Sequence, residues 1–168
     1  MADSKLGSYP RALTHVGVTV TDIDAAIRWY DEVLGFPLLF GPVDLVADES
    51  HFGMIVEDIF GSKCRKGRLA QLNGGNGVCI ELFEFSDPKS ERRENNFEYW
   101  KAGIFHFTIV EPQVEAMVHR IVETGGKQRS KIWTLFPNKP YKMVYCEDPF
   151  GNCIEVYSHS TEQTWSNV

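Results

Sequence analysis

Two histidines and two glutamates occupy matching places in this sequence, and together they form a donor set for a metal ion. The glutamates stand in GVCIEL, residues 77–82, and GNCIEV, residues 151–156, as Glu81 and Glu155. The histidines stand in ALTHVGVTV, residues 12–20, and GIFHFTIV, residues 103–110, as His15 and His106. Alternate residues of a strand share a face, so Glu81 lies with Cys79, Phe83 and Phe85, and Glu155 with Cys153, Tyr157 and His159. A carboxylate among apolar neighbours needs a cation or hydrogen-bond donors to stay charged. Two neutral imidazoles and two carboxylates balance a doubly charged cation, and their nitrogen and oxygen donors suit a first-row ion such as Zn, Ni, Fe, Mn or Co.

The elements that must position these four residues repeat along the chain. ALTHVGVTV reads as a strand, and TDIDAAIRWYDEVLG then changes period, with Ile23, Ala26, Ile27, Tyr30, Val33 and Leu34 on one helical face. Thr21 or Asp22 can cap this helix and Gly35 can stop it. A second copy runs from GIFHFTIV through EPQVEAMVHRIVETGG, with Val114, Met117, Val118, Ile121 and Val122 as its apolar positions. A shift of 91 residues places His15 on His106, Ile27 on Val118, Tyr30 on Ile121 and Gly35 on Gly126. The glutamates are 74 residues apart, so the first copy carries 17 extra residues, assigned to residues 41–67 as a loop-rich insert. Each copy reads as strand, helix and three strands. Module one covers about residues 10–86, module two about 103–159, and 87–102 form a linker whose aromatic end, Phe97, Tyr99 and Trp100, packs back on the fold. STEQTWSNV is left as a polar tail. Neither module has core enough to stand alone, so residues 1–168 are expected to form one domain with a shared core.

The strands THVGVTV, GVCIELFEF and FHFTIV, the helix DIDAAIRWYDEVLGF, and above all the turn Asp148-Pro149-x-Gly151-Asn152-x-x-Glu155 resemble the vicinal oxygen chelate superfamily. That superfamily includes glyoxalase I, methylmalonyl-CoA epimerase, extradiol dioxygenases and bleomycin-resistance proteins. The resemblance covers nearly the whole chain and is weakest at residues 41–67 and 87–102. It implies an α+β fold in which two paired βαβββ modules curl into an incomplete β-barrel around one divalent metal, with His15, Glu81, His106 and Glu155 as ligands. It also implies a homodimer, in some members with each site shared between the chains. Extradiol dioxygenases of the family use two histidines and one carboxylate, whereas this chain has a second glutamate. The expectation is therefore a metal-dependent lyase or isomerase resembling glyoxalase I, in which Glu81 or Glu155 moves a proton on carbon by way of an enediolate. The alternatives are an enzyme like methylmalonyl-CoA epimerase, an Fe(II)-dependent dioxygenase, and a metal-free drug-binding resistance protein.

The substrate side is less sharply written. Arg68, Trp100, Lys142 and Tyr157 are candidate substrate contacts, with Tyr99 and Tyr145 beside them, because each falls where it can rim the barrel. The patch Lys63-Cys64-Arg65-Lys66-Gly67-Arg68 reads first as a solvated loop and second as a contact for an anionic ligand. With a net charge of −6 and no longer basic run, the partner is a small molecule and not nucleic acid. No apolar run reaches membrane-spanning length and the N-terminal stretch lacks a secretory pattern, so a cytoplasmic protein without membrane attachment is expected. The four cysteines form no C-x-x-C pair and read as reduced packing residues. Glu84 points to the opposite face from Glu81, His119 reads as surface, and His159 has the parity to reach the outer part of the site.

Overall fold

The computed structural model describes residues 10–166. Module one is built from β1 (His15–Thr19), α1 (Ile23–Leu34), β2 (Leu38–Leu45), α2 (His51–Phe60), β3 (Lys66–Asn73) and β4 (Cys79–Asp87). Module two follows with β5 (Phe107–Val110), α3 (Val114–Glu123), β6 (Lys127–Gln128), β7 (Trp133–Thr134), β8 (Lys142–Glu147), β9 (Cys153–Tyr157) and α4 (Thr161–Trp165). The first sheet has strand order β1-β4-β3-β2 and the second β5-β9-β8-β6, with the short β7 pairing β8. This is the expected α+β fold, with two open sheets and no closed barrel among the described residues.

The local chemistry explains where the main helix begins and ends. Asp22 caps α1 by accepting from the Ala25 N–H at 2.9 Å. Gly35 ends it at φ 72°, a left-handed conformation that costs glycine little, and its N–H bonds back to the Asp31 carbonyl. In the second copy the helix is capped by Thr124, one residue before a left-handed Gly125, so the two helix ends match to within a residue or two.

In each sheet one face packs on the module's main helix, α1 or α3. Val18, Ala70, Leu72, Ile80 and Leu82 face α1, while Val144, Cys146, Ile154 and Val156 face α3, and all belong to one buried cluster. The shared core is therefore the layer between helices and sheets. Tyr30 of α1 is fully buried, and its hydroxyl donates to Asp148 in module two at 2.8 Å. Trp29 Nε1 donates to Thr124 Oγ1 at 2.9 Å, a second tie from α1 to the far module.

Two helices were not expected from the sequence. The 41–67 insert holds α2, whose Val56 packs with Leu45 and Cys64 in a separate small core on the face of the first sheet opposite α1. Phe60 of α2 meets Phe83 and Phe85 edge to face, with ring centroids 5.8 and 5.3 Å apart. The helix is apolar nearly all round, with Phe52, Met54, Ile55 and Ile59 exposed, which erases the one-sided pattern a surface helix normally shows. The polar tail contains α4, opened by a capping box in which Ser160 and Gln163 bond reciprocally.

Candidate metal centre

The faces opposite α1 and α3 carry the chemistry. Gly17 stands opposite Glu81 across the parallel β1–β4 pair, and Thr108 stands opposite Glu155 across β5–β9. Each histidine precedes that opposing residue by two, so the two modules hold their histidine and glutamate at the same register. The His15 Nε2 lies 3.5 Å from Glu81 Oε2, and the His106 Nε2 lies 3.2 Å from Glu155 Oε2. Donor atoms about 2.1 Å from a shared ion sit about 3.0–3.4 Å apart, so both spacings suit two ligands of one metal.

The neighbours of the two glutamates differ. Glu81 Oε1 accepts from Gln71 Nε2 at 2.7 Å, and its side chain is 18 % exposed. Glu155 is 7 % exposed, and its Oε2 accepts from Thr108 Oγ1 at 2.9 Å. Tyr145, directly across β8–β9, sets its phenol against Glu155. Burial, followed by the charge of Glu155, pushes the Tyr145 phenol well above its ordinary range, so it stays a donor at any working pH. One carboxylate is clamped from two sides and the other is held from one. The position of the clamping threonine is glycine in the first copy.

His106 is also held from the side, because its ring meets Phe105 and Tyr145 edge to face with centroids 5.1 and 5.0 Å away. Its Nδ1 is buried without a hydrogen-bond partner. A cleft of about 810 Å³ between the modules is lined by His15, Glu81 and His106, with Phe36, Ile80 and Met117 among its apolar walls. Among the described residues, however, no three His, Cys, Asp or Glu side chains gather closely enough within one chain to hold a metal. The donor chemistry and spacing fit a divalent ion as two half-sites of two ligands each.

The turn before β9 sets the second half-site. Asp148 Oδ1 accepts from the backbone N–H groups of Phe150 and Asn152 at 2.9 and 2.8 Å, and Oδ2 takes Tyr30 and the Asn152 amide. Gly151 turns the chain at φ 96°, where a side chain would be strained and would also collide with Arg92. Burial raises the Asp148 pKa, against the pull of these donors.

The other candidates from the sequence are dispersed. Arg68 points to the helix side of its sheet, bonded to Glu84 Oε2 and Asp24 Oδ2. Lys142 also sits on the helix side and pairs with Glu115. Trp100 is exposed on the linker against Tyr99. Tyr157 is nearly buried on the face of Glu155, and burial followed by that carboxylate raises its pKa. In the basic patch Arg65 pairs with Asp87, so with Arg68 committed as well, both arginines of the patch are neutralised. His119 pairs with Glu123 on the surface of α3, and His159 turns to Ser158 and Tyr141. The linker packs back through Phe97, which meets Phe105 and Tyr145, while Tyr99 and Trp100 stay exposed.

A set of cations near Glu155 was missed. Lys127, Glu147 and Cys153 form a row across β6, β8 and β9, and Arg129 extends the next row beyond Tyr145 and Glu155 through its backbone bond to the Tyr145 carbonyl. The i, i+2 spacing of Lys127 and Arg129 was a readable signal, but it lies in a two-residue strand too short to show a period.

Comparisons with known proteins agree with this architecture. The family model described as the glyoxalase/bleomycin resistance protein/dioxygenase superfamily matches residues 12–156. A 2-epi-5-epi-valiolone epimerase from an Actinomyces species is 25 % identical over 175 residues, covering 93 % of this chain and 92 % of the relative. A glyoxalase family protein from Bacillus cereus superposes with a TM-score of 0.73 at 20 % identity, covering 94 % of this chain and 97 % of that one. Glyoxalase I of Leishmania major superposes with a TM-score of 0.61 at 20 % identity, covering 94 % and 93 %. Among the described residues no helix is long and apolar enough to cross a membrane.

Proposed function

The chain belongs to the glyoxalase/bleomycin resistance protein/dioxygenase superfamily, and from that premise we propose that it is a metal-dependent isomerase or epimerase that moves a proton on the carbon beside a carbonyl group. The observation that carries this reading is the pair of His–Glu sets at equal register, His15 with Glu81 and His106 with Glu155. These four residues would hold one divalent ion, which supplies positive charge to a substrate oxygen while the neighbouring carbon loses its proton. The epimerase name of the Actinomyces relative supports proton transfer at carbon over oxygen chemistry.

The residues divide the work by how firmly they are held. Glu155, fixed by Thr108 and Tyr145, is the permanent ligand. Glu81, restrained by a single amide donor, is free to swing and carries the proton between carbon and its own carboxylate. The apolar walls of the cleft exclude water from the exchange. Because the two pairs do not converge within one chain, the complete set is assigned to a homodimer in which module one of each protomer faces module two of its partner.

Subunit mixing tests both the site and its sharing. His15→Ala and His106→Ala proteins should each lose metal binding. Co-refolded one to one, they should regain about a quarter of the wild-type metal sites, because half of the dimers then contain one intact site of two. No recovery on mixing refutes the shared site, and full metal content in both single variants refutes the ligand assignment. Oxygen uptake with Fe(II) on catechols, in place of deuterium exchange beside the carbonyl of hydroxyketones, thioesters or hemithioacetals, would overturn the proton-transfer reading.

A further inference from the structure

The face that carries Glu155 has a second chemical feature the reaction has not used. Arg92, Arg93, Lys127 and Arg129 line a pocket of about 280 Å³ together with Asn96, Glu94 and Glu147. Glu147 is almost fully buried and is approached by three cations: Arg92, Arg129 at 3.3 Å and Lys127 at 3.8 Å. Arg93 forms no ion pair among the described residues and lines the adjoining cavity together with Cys153. Four cations against two carboxylates leave two positive charges on an open wall. Of the other acids of the neighbourhood, Asp148 is buried in its turn against Tyr30 and Asn152, and Glu91 lines the adjoining cavity beside Arg92 and Arg93 and offsets part of this surplus.

The placement ties this wall to the reaction. Cys153 lies two residues before Glu155 on the same face of β9, about 7 Å along the strand. Lys127 shares that row, two strands or about 10 Å across. The guanidinium of Arg129 is stacked over the Phe97 ring at 4.9 Å, which aims it without an acidic partner beyond Glu147. We propose that this pocket is an anion subsite that holds a phosphate group on the substrate, one row of the sheet, about 7 Å along β9, from Glu155. Arginine forks match phosphate oxygens, and the surplus positive charge of the lining suits an anion. The substrate class that follows is a phosphorylated small ketone, and this rests on the reading of the Glu155 face as the substrate side.

Titration of metal-free dimer with inorganic phosphate by calorimetry tests it without any turnover, so its outcome is separable from that of the metal assignment. Saturable binding at pH 8 is expected, weakening at least fivefold in Arg93→Gln and in Arg129→Gln and unchanged in Arg65→Gln, whose guanidinium pairs with Asp87 elsewhere. Because Arg93 forms no ion pair among the described residues, its replacement should leave the fold intact, and a normal denaturation curve for that variant secures the comparison. Absence of saturable binding, equal affinity in all three variants, or saturation by acetate but not phosphate overturns the proposal and leaves the cations as a tether for the linker.

Discussion

Replacing Tyr30 by phenylalanine removes one oxygen atom and the hydrogen bond that links α1 of module one to the turn before β9. The ring is fully buried and the replacement keeps its shape, so cavity cost is small and the loss is that of the bond. A hydrogen bond to a charged acceptor contributes about 1.5–3 kcal/mol. Asp148 keeps the Phe150 and Asn152 donors, which places the expected loss near 2 kcal/mol, roughly a 30-fold shift in the folding equilibrium. The pH dependence has a definite sign. Burial raises the folded pKa of Asp148, so its contribution to stability is fully present below the unfolded value of about 3.9 and is lost as pH rises through the folded value. The Tyr30 bond pulls that folded pKa down, so removing it pushes the pKa higher still and the mutant's penalty is largest once Asp148 is ionised. Urea denaturation followed by tryptophan fluorescence, at fixed protein concentration and from about pH 8 to about pH 4, should show the gap between wild type and Tyr30→Phe closing towards acid. A loss under about 0.5 kcal/mol at neutral pH, or a gap that widens on acidification, would refute the reasoning.

Tyr145→Phe frees one side of Glu155 and should weaken metal binding about 10-fold, read by competition with a chromophoric chelator, while His15→Ala and His106→Ala abolish it. Glu155→Gln should lower metal affinity more than Glu81→Gln does, whereas Glu81→Gln should keep metal yet abolish deuterium exchange on the substrate; equal behaviour of the two would remove the division of roles. Only Cys79 is not buried, and burial raises the pKa of the other three thiols, Cys146 to about 11. A disulfide reagent at pH 8 should therefore titrate one thiol quickly in the native protein and all four after unfolding.

The strongest features of the fold were legible because they were written twice. A histidine and a glutamate at two different offsets, 91 and 74, mean little separately, but the β1–β4 and β5–β9 pairings turn both into one register. Glu84 also reads correctly, since its strand parity sends it to Arg68 on the helix side. The same parity placed Arg68 there, where Asp24 of α1 was waiting, and only the three-dimensional packing of α1 made that partner visible. The α2 helix escaped for a physical reason: Val56 faces a core while Phe52, Met54 and Ile59 face outward, so apolar residues mark no single side. The Ser160–Gln163 capping box was present in the sequence and sufficient to announce α4. The cationic wall joins Arg92 to Lys127 and Arg129 through a buried Glu147, and the Arg92–Glu147 contact spans 55 residues, which no local pattern encodes.

Gly17 and Thr108 occupy one position of the repeat, yet only the second reaches a carboxylate. A methyl-sized group at Gly17 would meet Phe83 at 3.5 Å, ordinary contact distance, so space does not forbid a side chain there. Two copies of one module that differ at this residue separate the identity of a ligand from its stiffness. Single substitutions at these two positions can then retune how tightly each glutamate is held while every donor atom of the centre stays in place.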